Sequence, residues 1–399
     1  MTKPAILQTN LGTLTLPNPF ILASGPPTAS GEMIRRAFEK GWGGAVIKTI
    51  RPDGMDIRDL SPRFAAWKGV RGELYGFENV ELLSKRTISY WVEEIRAIKQ
   101  DFPDNMLIAS IMGDTDPKTW QTLAIAVQDA GCDAIELNVS CPHGIPKAGL
   151  GASIGQNPTL IRDFTRTVSA VARVPVYVKL TPNITDISVI AQAAAEGGAD
   201  GISAINSVQC MLGVDIDTFT PVPSVDGYAT PGGYSGPAIR PIGLKMVSEI
   251  ARTVQLPIMG IGGVSRWQDA VEYMLLGAAA VQVCTAVMWN GYGIIRGMRE
   301  GLTRYLTEKE YCSPDAIRGM ALNRIRTHQA MNRSVRIYPA VGGQEICSRC
   351  GRCITACRDG GYQALNMTGG GVILNRERCD GCGLCILVCG TGTLIEALR

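Results

Sequence analysis

Short, continuous apolar runs alternate with amphipathic segments through the first three quarters of the chain. Such runs are typical of strands buried on both faces, and the segments between them have the apolar period of helices. Eight strand–helix pairs over roughly 290 residues predict a (β/α)8 barrel, with a doubly wound open sheet as the alternative. The predicted strands are 20–23, 45–49, 106–111, 134–139, 176–180, 201–204, 257–261 and 280–284. The predicted helices are 31–40, 82–101, 117–130, 158–171, 187–196, 239–252, 267–276 and 293–305.

Three connections leaving these strands are too long to be simple turns. They are 50–79, 141–157 and 207–238, and all three follow the carboxyl end of a strand. Long loops at that end of a barrel form the walls and lids of active sites. A short hairpin is predicted around Gly12, within residues 6–16, because apolar residues alternate there.

Composition narrows the class of protein. The chain has 399 residues, 46% of them apolar, and a net charge of +3, so we expect no nucleic-acid or membrane partner. The first residues lack the pattern of a signal peptide, and no run is long enough to span a bilayer, so we expect a cytoplasmic protein. The alternation stops near residue 308. We predict a barrel domain at 1–308, a linker packing on it at 309–343, and an α+β ferredoxin-like domain at 344–399.

The last domain contains two cysteine runs with identical spacing, Cys347-x2-Cys350-x2-Cys353-x3-Cys357 and Cys379-x2-Cys382-x2-Cys385-x3-Cys389. This doubled spacing is typical of two [4Fe–4S] clusters, in which the fourth cysteine of each run ligates the other cluster. Zinc is the less favoured alternative, because its sites usually show paired hooks of two cysteines. One cluster is therefore assigned to Cys347, Cys350, Cys353 and Cys389, and the other to Cys379, Cys382, Cys385 and Cys357.

A flavin is the cofactor that can exchange single electrons with such clusters and electron pairs with a substrate. Barrels commonly bind a phosphate after strands 7 and 8, where this chain has Gly262 and Gly263, then Cys284 and Thr285. Two lysines, Lys48 and Lys179, end predicted strands and would face the same mouth. A lysine inside a barrel is costly unless it meets an anion, and a reduced flavin ring is one.

The stretch 136–144 runs from a strand into a loop rich in glycine and proline. Pro142 ends the strand, so Cys141 and His143 are expected at the carboxyl end of the barrel. A thiol is mostly protonated at neutral pH, so Cys141 can act as a general acid. His143 tunes that thiol or only positions the loop. The segment 149–155 resembles a dinucleotide loop but has the wrong length and context, so we expect no pyridine-nucleotide site.

Several blocks together resemble a known family. The chain resembles the catalytic half of dihydropyrimidine dehydrogenases, including bacterial stand-alone subunits of the PreA type, and its barrel resembles class 1 dihydroorotate dehydrogenases. The resemblance covers essentially the whole chain. It is carried by NPFILAS (18–24), IKT (47–49), ELNVSCPHG (136–144), KLTPNITDI (179–187), SGPAIRPI (235–242), GIGGV (260–264), QVCTA (282–286) and CGRC within the cysteine module.

The resemblance implies FMN in the barrel and reduction of the 5,6 double bond of uracil or thymine. Hydride would pass from flavin N5 to C6, and Cys141 would protonate C5. The implied pyrimidine-binding residues are Asn79, Glu81, Asn138, Asn206 and Ser207. The implied flavin-binding residues are Ala23, Ser24, Lys48, Thr49, Asn138, Lys179, Gly236, Gly262, Gly263, Cys284 and Thr285.

The resemblance also implies a partner, a separate FAD- and NAD(P)H-binding subunit that feeds electrons through the clusters in a hetero-oligomer, expected to be a heterotetramer. Two alternatives stay open. One is an oxidoreductase of the dihydroorotate type or one acting on another unsaturated ring. The other is an electron-transfer subunit of a larger complex.

Overall fold

The computed structural model describes residues 5–55, 57–140 and 152–396. The chain forms two compact units, Met1–Arg324 and Ile325–Arg399. Within the described ranges, no helix is both long and apolar enough to cross a membrane. The domain boundaries expected at residues 308 and 343 stay predictions.

Among its described residues, the first unit contains sixteen strands and ten α-helices in chain order. Its strands are β1 (Thr9–Leu11), β2 (Leu14–Leu16), β3 (Phe20–Leu22), β4 (Gly44–Val46), β5 (Phe64–Lys68), β6 (Leu74–Asn79), β7 (Met106–Ile111), β8 (Ala134–Asn138), β9 (Val176–Leu180), β10 (Gly201–Ala204), β11 (Val208–Cys210), β12 (Gly213–Asp215), β13 (Thr220–Val222), β14 (Gly232–Ser235), β15 (Ile258–Ile261) and β16 (Ala280–Val283). Its helices are α1 (Gly31–Lys40), α2 (Ile88–Asp101), α3 (Pro117–Asp129), α4 (Ala152–Gly155), α5 (Pro158–Ser169), α6 (Ile187–Glu196), α7 (Arg240–Thr253), α8 (Trp267–Leu275), α9 (Thr285–Asn290) and α10 (Ile294–Glu308).

The eight predicted strands close into a parallel barrel. Around it they follow the order β3-β4-β7-β8-β9-β10-β15-β16, and the last strand pairs with the first. Every residue of these strands is buried, as continuous apolar runs predict. The (β/α)8 prediction is confirmed, and the alternative of an open sheet was wrong. The hairpin predicted around Gly12 is β1 paired with β2.

One helix begins later than predicted. The apolar pattern suggested a start at residue 82, but α2 begins at Ile88. Thr87 is its N-cap and accepts a hydrogen bond from the Tyr90 amide, while the Ser84 amide donates to the Thr49 carbonyl instead. Residues 82–87 therefore follow the barrel wall before the helix starts, because a side-chain cap fixes where the first turn forms.

Two of the long connections are predicted as loops, but in the structure they contain strands. In the structure β5 and β6 from the first connection join β11 and β14 from the third in one antiparallel sheet. The central pairing places Asn79 opposite Gly233. This sheet carries residues from two distant parts of the chain to the carboxyl end of the barrel.

The described part of the second unit contains two antiparallel strand pairs and two α-helices. Its elements are β17 (Pro339–Val341), α11 (Arg352–Gly360), β18 (Leu365–Thr368), β19 (Gly371–Leu374), α12 (Leu384–Leu387) and β20 (Leu394–Glu396). The strands pair antiparallel, β17 with β20 and β18 with β19. Its core contains cysteine as well as leucine and valine side chains, which agrees with the predicted α+β ferredoxin-like domain.

Candidate active site

A cavity lies at the carboxyl ends of the barrel strands. Every predicted pyrimidine- or flavin-binding residue in the described part of the chain lines it. They are Ala23, Ser24, Lys48, Thr49, Asn79, Glu81, Asn138, Lys179, Asn206, Ser207, Gly236, Gly262, Gly263, Cys284 and Thr285. The predicted proton donor Cys141 and its neighbour His143 lie outside the described residues, so their placement stays a prediction.

Three asparagine amides converge on one side of this cavity. Asn138 ends β8 and donates to Thr49 Oγ1 at 2.9 Å. Asn206 follows β10, donates to Ser140 Oγ at 2.9 Å, and approaches Asn138 Oδ1 at 3.4 Å. Asn79 ends β6 and donates to the Gly233 carbonyl at 2.8 Å. Each amide is therefore oriented by the protein and keeps hydrogen-bonding capacity for a ligand, since an amide offers two N–H groups and two lone pairs.

Glu81 lies beside these amides and pairs with two cations. Its two carboxylate oxygens face Lys48 Nζ and Arg63 Nε, the latter at 2.7 Å. The Glu81 and Lys48 side chains are only 10% and 11% exposed. A buried carboxylate is stable only when it is paired and hydrogen-bonded, and Lys48 and Arg63 supply both kinds of contact to Glu81 in the cavity wall.

A second buried acid–base pair forms the floor. Lys179 Nζ lies 3.7 Å from Glu136 Oε1, and Glu136 is completely buried. Gln282 Nε2 donates to Glu136 Oε2 at 3.0 Å, while Gln282 Oε1 has no protein partner. Glu136 Oε1 also has no hydrogen-bond partner, and because buried polar atoms are nearly always satisfied, these two acceptors fit a polar ligand at the cavity floor.

The glycines after β15 allow a group to approach the backbone. Gly262 and Gly263 have φ of 127° and 71°, a left-handed region that favours glycine. A Cβ on Gly263 would lie 2.8 Å from the Gly236 carbonyl oxygen, so the loop leaves no room for a side chain. Across the same edge, the hydroxyls of Ser235 and Thr285 lie 2.8 Å apart. This cradle of small residues and hydroxyls fits a phosphate, and the lysine floor fits an anionic ring.

The Cys284 thiol in this wall stays protonated. Desolvation raises the pKa of Cys284 to about 11, although Lys179 and Lys48 oppose the shift. The Cys284 thiol is close enough to Lys179 and Lys48 for their charges to act on it. It contributes packing and not a thiolate nucleophile, because only the thiolate is reactive.

Several cavity residues were not found from the sequence. Phe64 and Phe77 stack at 5.2 Å and line the cavity, and Arg63 precedes Phe64 on the inserted sheet. The sequence did not predict these cavity residues because the connection 50–79 is predicted as a loop. Gln282 lies within a buried strand, where a polar residue in an apolar run was the available signal.

In the second unit the cysteines form two groups. One small cavity is lined by Cys347, Cys350, Cys353 and Cys389, and another by Cys357, Cys379, Cys382 and Cys385. Each group combines three cysteines of one run with the fourth of the other, which is the set expected for each predicted cluster. Four thiol groups around one space fit the ligand requirement of a cubane cluster.

The fold and site define a class of protein, a barrel oxidoreductase that uses a flavin and iron–sulfur clusters. Comparison with known proteins narrows the class. Residues 6–306 match the dihydroorotate dehydrogenase family and residues 340–397 match the 4Fe-4S dicluster domain. The chain belongs to the dihydroorotate dehydrogenase family, and it carries a 4Fe-4S dicluster domain after the barrel.

The similar proteins have names of two kinds. The chain is 40% identical over 353 residues to the NAD-dependent dihydropyrimidine dehydrogenase subunit PreA of Escherichia coli K12, covering 88% of this chain and 84% of that protein. It is 38% identical over 333 residues to the chloroplastic dihydropyrimidine dehydrogenase (NADP(+)) of Arabidopsis thaliana, covering 81% and 78%. It is 41% identical over 318 residues to the catalytic subunit of dihydroorotate dehydrogenase B (NAD(+)) of Pyrococcus abyssi, covering 79% and 99%.

These matches confirm the predicted family resemblance and the oxidoreductase class. The family is flavin-dependent, and the second domain is the type that holds two [4Fe–4S] clusters, so the predicted kinds of cofactor are confirmed. Two of these relatives are described as subunits.

Proposed function

We propose that this chain is the catalytic subunit of a dihydropyrimidine dehydrogenase and reduces the 5,6 double bond of uracil or thymine. The observation that carries the proposal is the convergence of Asn79, Asn138 and Asn206 in one cavity. Each amide can donate and accept, which matches the alternating N–H and C=O groups of an imide edge. Ser207 adds a hydroxyl on the same side.

The reaction adds two electrons and two protons to the pyrimidine ring. Gly263 and the two lysines of the cavity would hold FMN, which would supply the hydride that C6 receives. Cys141 gives its thiol proton to C5, and the resulting thiolate recovers a proton from solvent. The asparagines would hold the ring in place, and Lys48 and Lys179, although each pairs with a carboxylate, would place their ammonium groups beside the cofactor. His143 is proposed to tune the thiol.

A substrate screen tests this proposal. Chemically reduced holoenzyme is mixed with uracil, thymine or orotate under anaerobic conditions, and reoxidation of the flavin is followed by absorbance. We expect uracil and thymine to reoxidise the enzyme and orotate to leave it reduced. The second candidate is a dihydroorotate-type enzyme, which is favoured by the family match and by the 41% identity to a dihydroorotate dehydrogenase subunit. Reoxidation of the flavin by orotate alone would support this candidate.

The proton donor is tested separately with Cys141→Ala. The variant should still accept electrons into the flavin but lose most uracil reduction, since acid catalysis contributes about 10²–10⁴-fold. Cys312→Ala is the matched control, because Cys312 is exposed and does not line the cavity. Unchanged turnover in Cys141→Ala would refute the assigned role.

We further propose that electrons come from a separate FAD- and NAD(P)H-binding subunit in a hetero-oligomer, a heterotetramer. NADH alone should then leave the isolated chain oxidised. Rapid bleaching of the flavin by NADH would show a nucleotide site in this chain.

A further inference from the structure

Charged side chains of alternating sign run from the cavity towards the surface of the inserted segment. Lys48 pairs with Glu81, Glu81 pairs with Arg63 at 2.7 Å, and the Arg63 charge acts in turn on Asp59. Asp59 pairs with Lys85 at 2.7 Å. Glu81 therefore joins the cavity lysine Lys48 to Arg63.

Arg63 contacts two residues that line the cavity, Phe64 and Glu81. Its guanidinium carbon is 4.9 Å from the ring centre of Phe64, which lines the cavity and stacks on Phe77. The Arg63 side chain is 38% exposed, whereas Glu81 is 10% exposed. In this position the Arg63 guanidinium is paired with Glu81.

We propose that the Arg63–Glu81 pair makes the cavity reject pyrimidines that carry a carboxylate. Glu81 occupies both Lys48 and Arg63, the cations that could receive a ligand carboxylate at this wall. An acidic ligand would have to displace Glu81, and removing the partners of a buried carboxylate is strongly unfavourable. A neutral pyrimidine demands no such exchange. This inference rests on the proposed function and adds a specificity role for Arg63.

The test is Glu81→Gln, which keeps the side-chain shape and releases the two cations. Dissociation constants of the oxidised holoenzyme for uracil and orotate are measured by titration calorimetry. The ratio of the orotate constant to the uracil constant should fall about tenfold or more, the effect of one charge-assisted hydrogen bond. An uncharged probe, the primary amide of orotate, should show no such gain relative to uracil.

Two variants separate this mechanism from a general change of charge. Asp59→Asn removes one negative charge from the same series, as Glu81→Gln does, and should leave the ratio unchanged. Glu81→Gln combined with Arg63→Gln should lose the part of the gain in orotate binding that Arg63 supplies, while the part due to Lys48 remains. An unchanged ratio in Glu81→Gln, or an equal gain in Asp59→Asn, would overturn the proposal. Failure of the wild type to bind or reduce uracil would instead overturn the proposed function, and the proposal would then be tested by comparing the orotate dissociation constants of the wild type and Glu81→Gln directly.

Discussion

Asp269 joins the starts of two helices around the proposed phosphate cradle. Its carboxylate accepts from the backbone amides of Ser265 at 2.9 Å and Arg266 at 3.1 Å, and it pairs with the Arg240 guanidinium. The side chain is 3% exposed. Arg240 begins α7, and its Cβ lies 2.8 Å from where a Cβ on Gly263 would stand. The carboxylate therefore fixes the backbone that surrounds Gly263.

Asp269→Ala should lower the free energy of unfolding of the holoenzyme by about 2–4 kcal/mol. The estimate counts two half-buried backbone donors left without an acceptor, at about 1 kcal/mol each, and the loss of a buried partner for Arg240. The loop after β15 would also loosen, so we expect the dissociation constant for FMN to rise about tenfold or more, which corresponds to roughly 1.4 kcal/mol.

Urea unfolding and fluorescence titration of the apoprotein with FMN measure these two quantities. Glu272→Gln is the matched control, since Glu272 also pairs with Arg240, at 3.5 Å, but is 45% exposed. An exposed pair contributes about 0–1 kcal/mol, so the control should retain wild-type stability and FMN affinity. A loss below 1 kcal/mol in Asp269→Ala, or an equal loss in the control, would refute the reasoning.

Two further predictions concern cysteines. Cys389→Ala should lose one cluster, about four of about eight irons, because Cys389 lines the same small cavity as the first three cysteines of the first run. Iron analysis measures this loss, with Cys312→Ala as the control. Full iron content in Cys389→Ala would contradict the assigned ligand set. Burial raises the pKa of Cys132 from its ordinary 9.0 to about 12, so its stabilising contribution is complete below pH 9 and is lost as the pH rises towards 12. Between pH 9 and pH 12 the free energy of unfolding of the wild type, measured in urea, should fall by up to about 1.4 kcal/mol per pH unit more than that of Cys132→Ala. Parallel pH profiles of the two proteins would contradict this.

The barrel could be predicted because its strands carry their own signal. The strands predicted at 106–111, 176–180 and 201–204 coincide with β7, β9 and β10. A parallel strand is covered on both faces, so its sequence is apolar throughout. The apolar run ends where the chain leaves the barrel interior. The same reasoning placed Asn138 and Lys179 at strand ends, and the cavity contains both.

The inserted sheet could not be predicted in this way. β5 is half-exposed with two exposed residues, and its neighbour β6 pairs with β14, so that Asn79 lies opposite Gly233. Nothing local in a short, half-exposed segment indicates a partner that distant, because pairing of this kind depends on the fold that brings the two segments together. Arg63 and Phe64 were missed for this reason, although they precede and begin the strand that forms one wall.

The two lysines of the cavity illustrate the remaining gap between sequence and site. Sequence reasoning assigned both Lys48 and Lys179 to an anionic ligand, since a buried lysine needs an anion. In the structure each already has a carboxylate partner, Glu81 for Lys48 and Glu136 for Lys179. The pairs differ in one respect, because Glu136 is completely buried and further bonded by Gln282, whereas Glu81 shares its charge with a partly exposed arginine. The Lys179 pair is thus a fixed part of the floor, and the Lys48 pair is the one whose charge balance a ligand at the wall can change.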